Sequence, residues 1–195
     1  MSMEQRLIDV IRASPRVMHV LHIARAAKLP DWRLVAGSVY GTVWNALTGR
    51  APDHGIKDYD ICYFDPDTSW EAEDTIIKAV AKLTPPNLLP LVEVRNQARV
   101  HLWFSDKFGG DYAALKDTDE ALTRYLCYCD AVAVRLEADD TISVAAPFGL
   151  DDVFTMTMRP NPQRGATGNR AVKVASVQVR WPEVRYEPVI QIPTK

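Results

Sequence analysis

Apolar residues at the start of the chain recur at helical spacing, as Leu7 and Ile11 illustrate. Ser14-Pro15 then has the form of an N-cap followed by a proline at the first helical position. The pattern therefore predicts two consecutive helices, over about 3 to 13 and 15 to 28.

The next segment has the pattern of a strand, a glycine turn and a helix. The short run RLVA over 33 to 36 predicts a buried strand that leads into Gly37-Ser38. A helix is predicted over 39 to 47, and Gly49 ends it. Residues 58 to 64 (DYDICYF) are β-branched and aromatic with polar residues at alternate positions, which predicts a second strand.

The rest of the chain is predicted as a succession of short elements. They are a helix over 68–82 opened by a T-x-x-E capping box, strands over 91–95 and 99–104, a helix over 117–127, a hairpin of strands over 131–136 and 141–144, a short helix after Gly149, a loop over 158–169 and a helix over 170–180. The last of these also alternates like a strand, but its length and its Trp-Pro stop favour a helix. Short strands and interspersed helices without regular βαβ alternation indicate an α+β fold with a mixed sheet.

Composition fits one ordinary folded domain. The chain has 195 residues, of which 47% are hydrophobic and 25% charged, and a net charge of -2 argues against a dedicated role in coating nucleic acid. No apolar run approaches the roughly 20 residues that span a bilayer, and the N-terminal stretch carries charges at helical spacing. We therefore expect a cytoplasmic protein without a membrane partner. Its three cysteines, an odd number without a CxxC motif, are expected to be reduced packing residues.

Charge is distributed unevenly along the chain. Residues 58 to 74 contain seven acidic residues and no basic one, whereas residues 156 to 185 contain six basic residues and a single acid, Glu183. The first segment is either a site for a cation or a solvated face, and the second is a candidate for contacts to phosphate.

The strongest candidate chemistry is Asp58-Tyr59-Asp60, 21 positions after Gly37-Ser38. Because side chains alternate along a strand, Asp58 and Asp60 are expected on one face, where a divalent cation such as Mg²⁺ relieves their repulsion. The glycine allows close approach of a ligand, and the start of the following helix, with the Ser38 hydroxyl, favours an anion. A pair of solvated strand-edge aspartates is the alternative.

The order of these residues resembles the nucleotidyltransferase superfamily of the DNA polymerase beta type. Within it, the head domain of tRNA CCA-adding enzymes and bacterial poly(A) polymerases has Gly-Gly-x-Val-Arg-Asp, Leu-Leu-Gly-Arg-x-Pro and Asp-x-Asp. These motifs are echoed here by Gly37-Ser38-Val39-Tyr40, by residues 47–52 (LTGRAP) and by Asp58-Tyr59-Asp60. Tyr40-Gly41 replaces Arg-Asp and residues DHGIK are added before Asp58, so contacts of those enzymes to RNA are not carried over.

A closer resemblance, over nearly the whole chain, is to a bacterial nucleotidyltransferase-like family of about this length whose biochemical function is unassigned. It rests on VAGSVYGTVWNALTGR, IKDYDICYFD, SWEAED, VEVRNQARVHLWF, APFGLDDVF and RPNP. This resemblance implies a nucleotidyltransferase fold with extra N- and C-terminal helices, in which 1–195 form one domain with a core over about 30–105 and a C-terminal extension over about 106–195.

The resemblance also implies a reaction, the Mg²⁺- or Mn²⁺-dependent transfer of a nucleoside monophosphate from an NTP to an unknown acceptor. Asp58 and Asp60 would bind the metal, and Glu93 would supply the third carboxylate, unless Arg95 neutralises it structurally. Gly37-Ser38 would hold the triphosphate. The alternative is a catalytically silent module that binds a nucleotide or a partner on the same fold.

Other polar residues near Glu93 are candidates for contacts to the nucleotide. If residues 99–104 form a strand, Arg99 and His101 share one face and can reach the triphosphate or the acceptor. The alternative is a polar sheet face bonded within the fold. The five tryptophans, which stand beside apolar positions, are interpreted as core packing.

Overall fold

A computed structural model describes residues 1–164 and 168–188 of the chain. The helices in these ranges are α1 (Met3–Arg12), α2 (Pro15–Ala26), α3 (Gly37–Thr48), α4 (Trp70–Leu83), α5 (Val100–Phe108), α6 (Thr118–Leu122), α7 (Asp151–Phe154) and α8 (Gly168–Arg180). The strands are β1 (Arg33–Val35), β2 (Tyr59–Tyr63), β3 (Val92–Asn96), β4 (Ala133–Leu136), β5 (Ile142–Ala145), β6 (Thr157–Met158) and β7 (Arg185–Tyr186). Short 3₁₀ turns occupy Leu89–Leu91, Gln97–Arg99, Tyr128–Asp130 and Pro162–Arg164.

Five strands form a mixed sheet in the order β3-β2-β1-β4-β5. Strands β2 and β3 are parallel, whereas β1 is antiparallel to both of its neighbours and β4 to β5. The predicted α+β class with a mixed sheet is confirmed, as are the additional helices near both ends of the described chain. Strands β4 and β5 place part of the predicted C-terminal extension inside the central sheet.

The two faces of the sheet have different surroundings. Leu34, Ile61 and Val134 point to the main core, which also contains buried side chains of α2, α3 and α8. The opposite face carries a smaller apolar cluster that includes Cys62 and Leu122. Because side chains alternate along a strand, Asp60 shares this second face with Cys62. The fully covered face stabilises the fold, and the partly covered face leaves space for a site.

Local sequence signals fix several helix ends. The Ser69 hydroxyl accepts a hydrogen bond from the Ala72 amide at 3.3 Å, so α4 begins one residue later than a cap at Thr68 predicts. Gly49, with φ +66°, ends α3 in the left-handed conformation that glycine adopts without steric cost, as predicted. In the described ranges, no helix combines the length and the apolar character needed to span a membrane.

The predicted strand over 99–104 is wrong, because these residues lie in a 3₁₀ turn and helix α5. Asn96 ends β3, where its side-chain oxygen accepts from the amides of Asp65 and Ala98 and so closes the turn. Val100 and Phe104 then stand one helical turn apart on the buried side of α5.

The helix predicted over 117–127 is shorter than expected. It ends at Leu122, because the Asn161 side chain donates to the carbonyls of Thr123 and Tyr125 at 2.7 and 2.9 Å. The segment predicted as a loop over 158–169 contains the end of β6 and a 3₁₀ turn, and its residues 165–167 lie outside the described ranges. The helix favoured for 170–180 is confirmed.

Candidate active site

The turn between β1 and α3 brings the start of a helix against the start of β2. Ala36 has φ 56° and ψ −123°, a conformation that L residues rarely adopt, and its amide donates to the Val132 carbonyl. A Cβ placed on Gly37 would lie 3.8 Å from Oδ1 of Asp58. The first amides of α3 have no partner within the helix and are available to an anion beside this carboxylate.

Ser38 lies inside this turn. Its side chain is fully buried, and its hydroxyl donates to the Val35 carbonyl at 3.1 Å. The hydroxyl proton expected to contact phosphate is therefore used within the fold. Any contact of Ser38 to a ligand in this arrangement uses the backbone amide.

Three carboxylates converge where β2 begins. Asp58 directly precedes β2. Asp60 is the register partner of Glu93 on the parallel strand β3, so the side chains of Asp60 and Glu93 share one face of the sheet. Burial, followed by the charges of Asp58 and Glu93, raises the pKa of Asp60 to about 7. The structure thus brings the three predicted carboxylates together, in an arrangement that a cation would stabilise.

Glu93 also has a second partner. Its Oε2 atom lies 3.6 Å from Nη2 of Arg95, and both side chains are about half exposed, at 51% and 52%. Exposed ion pairs of this kind contribute little to stability. Glu93 is therefore adjacent to Asp60 and to a cation at the same time.

Positive charges face these carboxylates from the C-terminal half of the chain. Lys173 on α8 places Nζ 2.9 Å from Oδ2 of the fully buried Asp130. Burial lowers the pKa of Lys173, but the charges of Asp130 and Tyr40 and the hydrogen bond to Asp130 together raise it above its usual value, so the ammonium group stays protonated. The charge of Lys173 also offsets part of the rise in the pKa of Asp60.

A cavity of about 400 Å³ joins these groups, a volume typical of small-molecule sites. One part of its lining is charged and consists of Asp60, Glu93, Arg95, Arg124, Arg164 and Lys173. Another part is aromatic and consists of Trp103, Phe104, Phe108, Tyr112 and Tyr125. A cavity with carboxylates, cations and aromatic rings matches the chemistry of a metal-bound nucleotide.

Arg99, which the sequence places near the nucleotide, is not among the described residues that line this cavity. Its guanidinium Nε lies 3.2 Å from Oε2 of buried Glu73, and the group stacks over Trp70. Glu73 in turn accepts from the Asn96 amide. The contacts of Arg99 therefore tie α4 to the end of β3 and leave it outside the lining of the candidate site.

Sequence reasoning missed several residues of the cavity. Arg164 and Lys173 belong to the basic segment identified above, but nothing local distinguishes them from Arg159, which binds Asp152 instead. Trp103, like the other tryptophans, is interpreted from the sequence as core packing, and a strand is predicted over 99–104. A helical interpretation of 100–108 would have placed Val100, Phe104 and Phe108 on one face.

The donor set suits Mg²⁺ held jointly with a substrate. Within residues 1–164 and 168–188, no three carboxylate, histidine or cysteine side chains are grouped so that they could hold a metal ion together. Mg²⁺ commonly uses one or two protein carboxylates and takes its other oxygens from phosphate and water. The proximity of Asp58 and Asp60, with a raised pKa at the latter, fits this incomplete type of site.

The mixed sheet, the helix start beside Asp58 and the carboxylates on adjacent parallel strands define a nucleotidyltransferase-type protein. The family model described as "Nucleotidyltransferase" matches residues 22–186, and the chain belongs to this family. A search of curated proteins found no match.

Solved structures agree with this assignment. A protein whose NMR structure reveals a CCA-adding enzyme head domain is 27% identical, with a TM-score of 0.76 and coverage of 95% of this chain and 96% of that one. A tRNA-processing enzyme complex is 15% identical with a TM-score of 0.51, and a CCA-adding enzyme in complex with ATP is 13% identical with a TM-score of 0.54. The two matches include 86% and 92% of this chain, respectively, but only 43% and 41% of those longer chains. At these low identities the two structures show the fold alone.

Proposed function

We propose that the protein is a divalent-metal-dependent nucleotidyltransferase that uses an NTP as donor. The observation that carries this proposal is that Asp60 and Glu93, with the charge of Asp58 acting on Asp60, line a cavity that also contains four cationic side chains. Carboxylates alone would repel a triphosphate, and cations alone would not hold a metal. Their combination suits a metal complex of a triphosphate. Binding of ATP by a CCA-adding enzyme of the same fold agrees with this donor class.

In the proposed reaction, an acceptor hydroxyl or phosphate oxygen attacks the α-phosphorus of the NTP. A new bond forms between acceptor oxygen and α-phosphorus, the bond from α-phosphorus to the bridging oxygen breaks, and pyrophosphate leaves with its electron pair. Glu93 accepts the proton when the acceptor is a hydroxyl. The first amides of α3, at Gly37 and Ser38, bind the triphosphate.

Asp58 and Asp60 would hold Mg²⁺ or Mn²⁺, and Glu93 would complete the set. When bound, the metal neutralises phosphate oxygens and increases the electrophilicity of the α-phosphorus. Lys173 is fixed by Asp130, so it offers a positive charge at the cavity without having to be ordered by the substrate. Arg95 forms an ion pair with Glu93 in the absence of substrate.

A module that binds nucleotides without catalysis is the second candidate function. The observation that favours it is the contact between Glu93 and Arg95, because a carboxylate occupied by a guanidinium is not free to accept a proton. Transfer rates of a Glu93→Gln variant separate the two candidates, since a silent module has no transfer for the substitution to remove.

The proposal is tested with α-labelled NTPs, Mn²⁺ or Mg²⁺, and a panel of self, RNA, protein and small-molecule acceptors. Wild-type protein is expected to transfer label and release pyrophosphate, whereas Asp60→Asn is expected to do neither. The thermal stability of the same proteins is measured with NTP and Mn²⁺. Absence of any Mn²⁺-dependent shift in the wild type would contradict the proposal without requiring the acceptor to be known.

A further inference from the structure

Four aromatic rings form one wall of the cavity, which we call the aromatic wall: Trp103, Phe104, Phe108 and Tyr112. Phe104 is at its centre, with ring centroids 4.5 Å from Tyr112 and 5.1 Å from Phe108. Trp103 lies 6.4 Å from Phe104 and 6.2 Å from Phe108. These spacings are those of contacting aromatic pairs.

The aromatic wall is only partly covered by the protein. Phe104 is nearly buried, but Phe108 remains 43% exposed, and Trp103 and Tyr112 are partly exposed as well. Core aromatic residues in this protein are covered completely, as Trp44 and Trp181 are. An apolar surface kept open inside a cavity is typical of a surface that a ligand covers.

The chain reverses direction to build this surface. Gly109 and Gly110 follow α5 with φ +72° and +76°, values that favour glycine. The reversal returns Tyr112 onto Phe104, and Arg164 then lies over both rings, with its guanidinium carbon 4.7 Å from the Phe104 centroid. The guanidinium plane adds a cationic edge to the apolar wall.

The register of the sheet sets the direction from the carboxylates to this wall. Asp60 and Glu93 are paired near the start of β2 and β3, and Cys62 and Arg95 are paired two residues further on, about 7 Å along the strands. Gln97 and α5 follow directly after β3. The cavity therefore runs from the carboxylates, over Cys62 and Arg95, to the aromatic rings, in the order phosphate, sugar and base of a nucleotide.

We propose that the aromatic wall is the binding site for the nucleobase of the donor NTP. The inference rests on the proposed function, because it takes the carboxylate end of the cavity as the site of the α-phosphate. Stacking on aromatic faces accepts any base, since every base has a π-face. The wall therefore predicts weak discrimination between NTPs, with purines bound better than pyrimidines because they present the larger ring.

The test measures binding by calorimetry in Mn²⁺ with three ligands: non-hydrolysable analogues of ATP and CTP, and inorganic tripolyphosphate, which has no base. The variants are Trp103→Ala and Tyr112→Ala, with Trp103→Phe as the conservative partner. Trp70→Ala is the matched control, because Trp70 is 56% exposed and lies outside the cavity lining. Far-UV circular dichroism verifies folding of every variant.

Trp103→Ala and Tyr112→Ala are expected to weaken binding of the ATP analogue on the order of 10-fold or more, with a smaller loss for CTP and none for tripolyphosphate. Trp103→Phe is expected to recover most of the affinity, and Trp70→Ala to match the wild type. If the alanine variants fail to fold, quenching of tryptophan emission by the ATP analogue is measured in a Trp70→Phe background. The measurement is made on this background alone and with Trp103→Phe or Tyr112→Phe added. Quenching that Trp103→Phe abolishes and Tyr112→Phe retains supports the inference, and no quenching contradicts it.

The outcomes distinguish failure of this inference from failure of the proposed function. Equal binding of the ATP analogue by wild type and the alanine variants, with tripolyphosphate still bound, overturns the base site alone. No binding of either triphosphate by the wild type overturns the proposed function itself.

Discussion

Asp60→Asn is expected to make the metal-free protein more stable at neutral and alkaline pH. Burial and the charges of Asp58 and Glu93 raise the pKa of Asp60 to about 7 in the folded state. The folded protein therefore binds this proton more tightly than the unfolded chain does. Stability falls as pH rises from about 4 to about 7, and the loss is complete above that range. Asparagine has nearly the same size and carries no charge at any of these pH values.

The size of the effect follows from the two pKa values. A change from 3.8 in the unfolded chain to about 7 in the folded protein costs about 4 kcal/mol of stability at pH 8. The asparagine amide is itself a buried polar group that needs hydrogen-bond partners, which reduces the gain. We expect Asp60→Asn to gain about 1–3 kcal/mol at pH 8. A protein of this size gains about 2–4 °C in Tm per kcal/mol, so the expected rise is about 2–12 °C.

The assay is thermal denaturation of metal-free wild type and Asp60→Asn between pH 4 and pH 8. Exposed Asp106 supplies the control variant, Asp106→Asn, which is expected to change Tm little at any pH. The higher Tm of Asp60→Asn relative to the wild type is expected to vanish near pH 4. At pH 8, addition of Mn²⁺ with NTP is expected to make the wild type the more stable protein, because only the wild type binds the metal through this carboxylate. A variant less stable than the wild type at pH 8 without metal, or equally stabilised by Mn²⁺ with NTP, would refute the reasoning.

Three further substitutions test other parts of the site. Gly37→Val is expected to prevent NTP binding measured by calorimetry, because its side chain would enter the space beside the Asp58 carboxylate; a variant that folds and binds normally would show that the turn is only structural. Glu93→Gln is expected to keep NTP affinity within a few-fold and to lose transfer rate by on the order of 10²-fold or more, measured in the labelled-NTP assay; unchanged turnover would contradict its role. Lys173→Met is expected to lower the free energy of unfolding by about 3–5 kcal/mol in a denaturant titration, because it leaves buried Asp130 without its ion-pair partner. The double variant with Asp130→Asn is expected to recover part of that loss, and a Lys173→Met variant as stable as the wild type would contradict the pairing.

Local patterns in the sequence predict most of the fold because caps, proline breaks and periodicity act over a few residues. The helix that follows β1, the strand bearing Asp60 and the hairpin of β4 and β5 all depend on such signals. Residues 99–104 satisfy two periods at once, since Val100, Leu102 and Phe104 alternate while Val100 and Phe104 are also one helical turn apart. The side chain of Asn96 decides for the helix, through tertiary bonds to Asp65 that no local pattern contains.

The carboxylates of the site were predictable for a related reason. Asp58 and Asp60 share one strand, and Glu93 lies on the strand paired with it. Lys173 and Arg164 reach the cavity from more than 70 residues further along the chain, so their positions depend on the packing of α8 and the Pro162–Arg164 turn rather than on sequence spacing. A basic segment predicts contacts to phosphate, but only the fold determines which of its cations line the cavity.

The central claim is tested most directly by a crystal structure of the protein with Mn²⁺ and a non-hydrolysable NTP, in which anomalous scattering locates the metal. We expect Mn²⁺ between Asp58, Asp60 and phosphate oxygens, with the triphosphate at the start of α3. The same nucleotide is expected to place its base against Trp103 and Tyr112. Mn²⁺ bound away from both aspartates, or a nucleotide outside this cavity, would contradict the account.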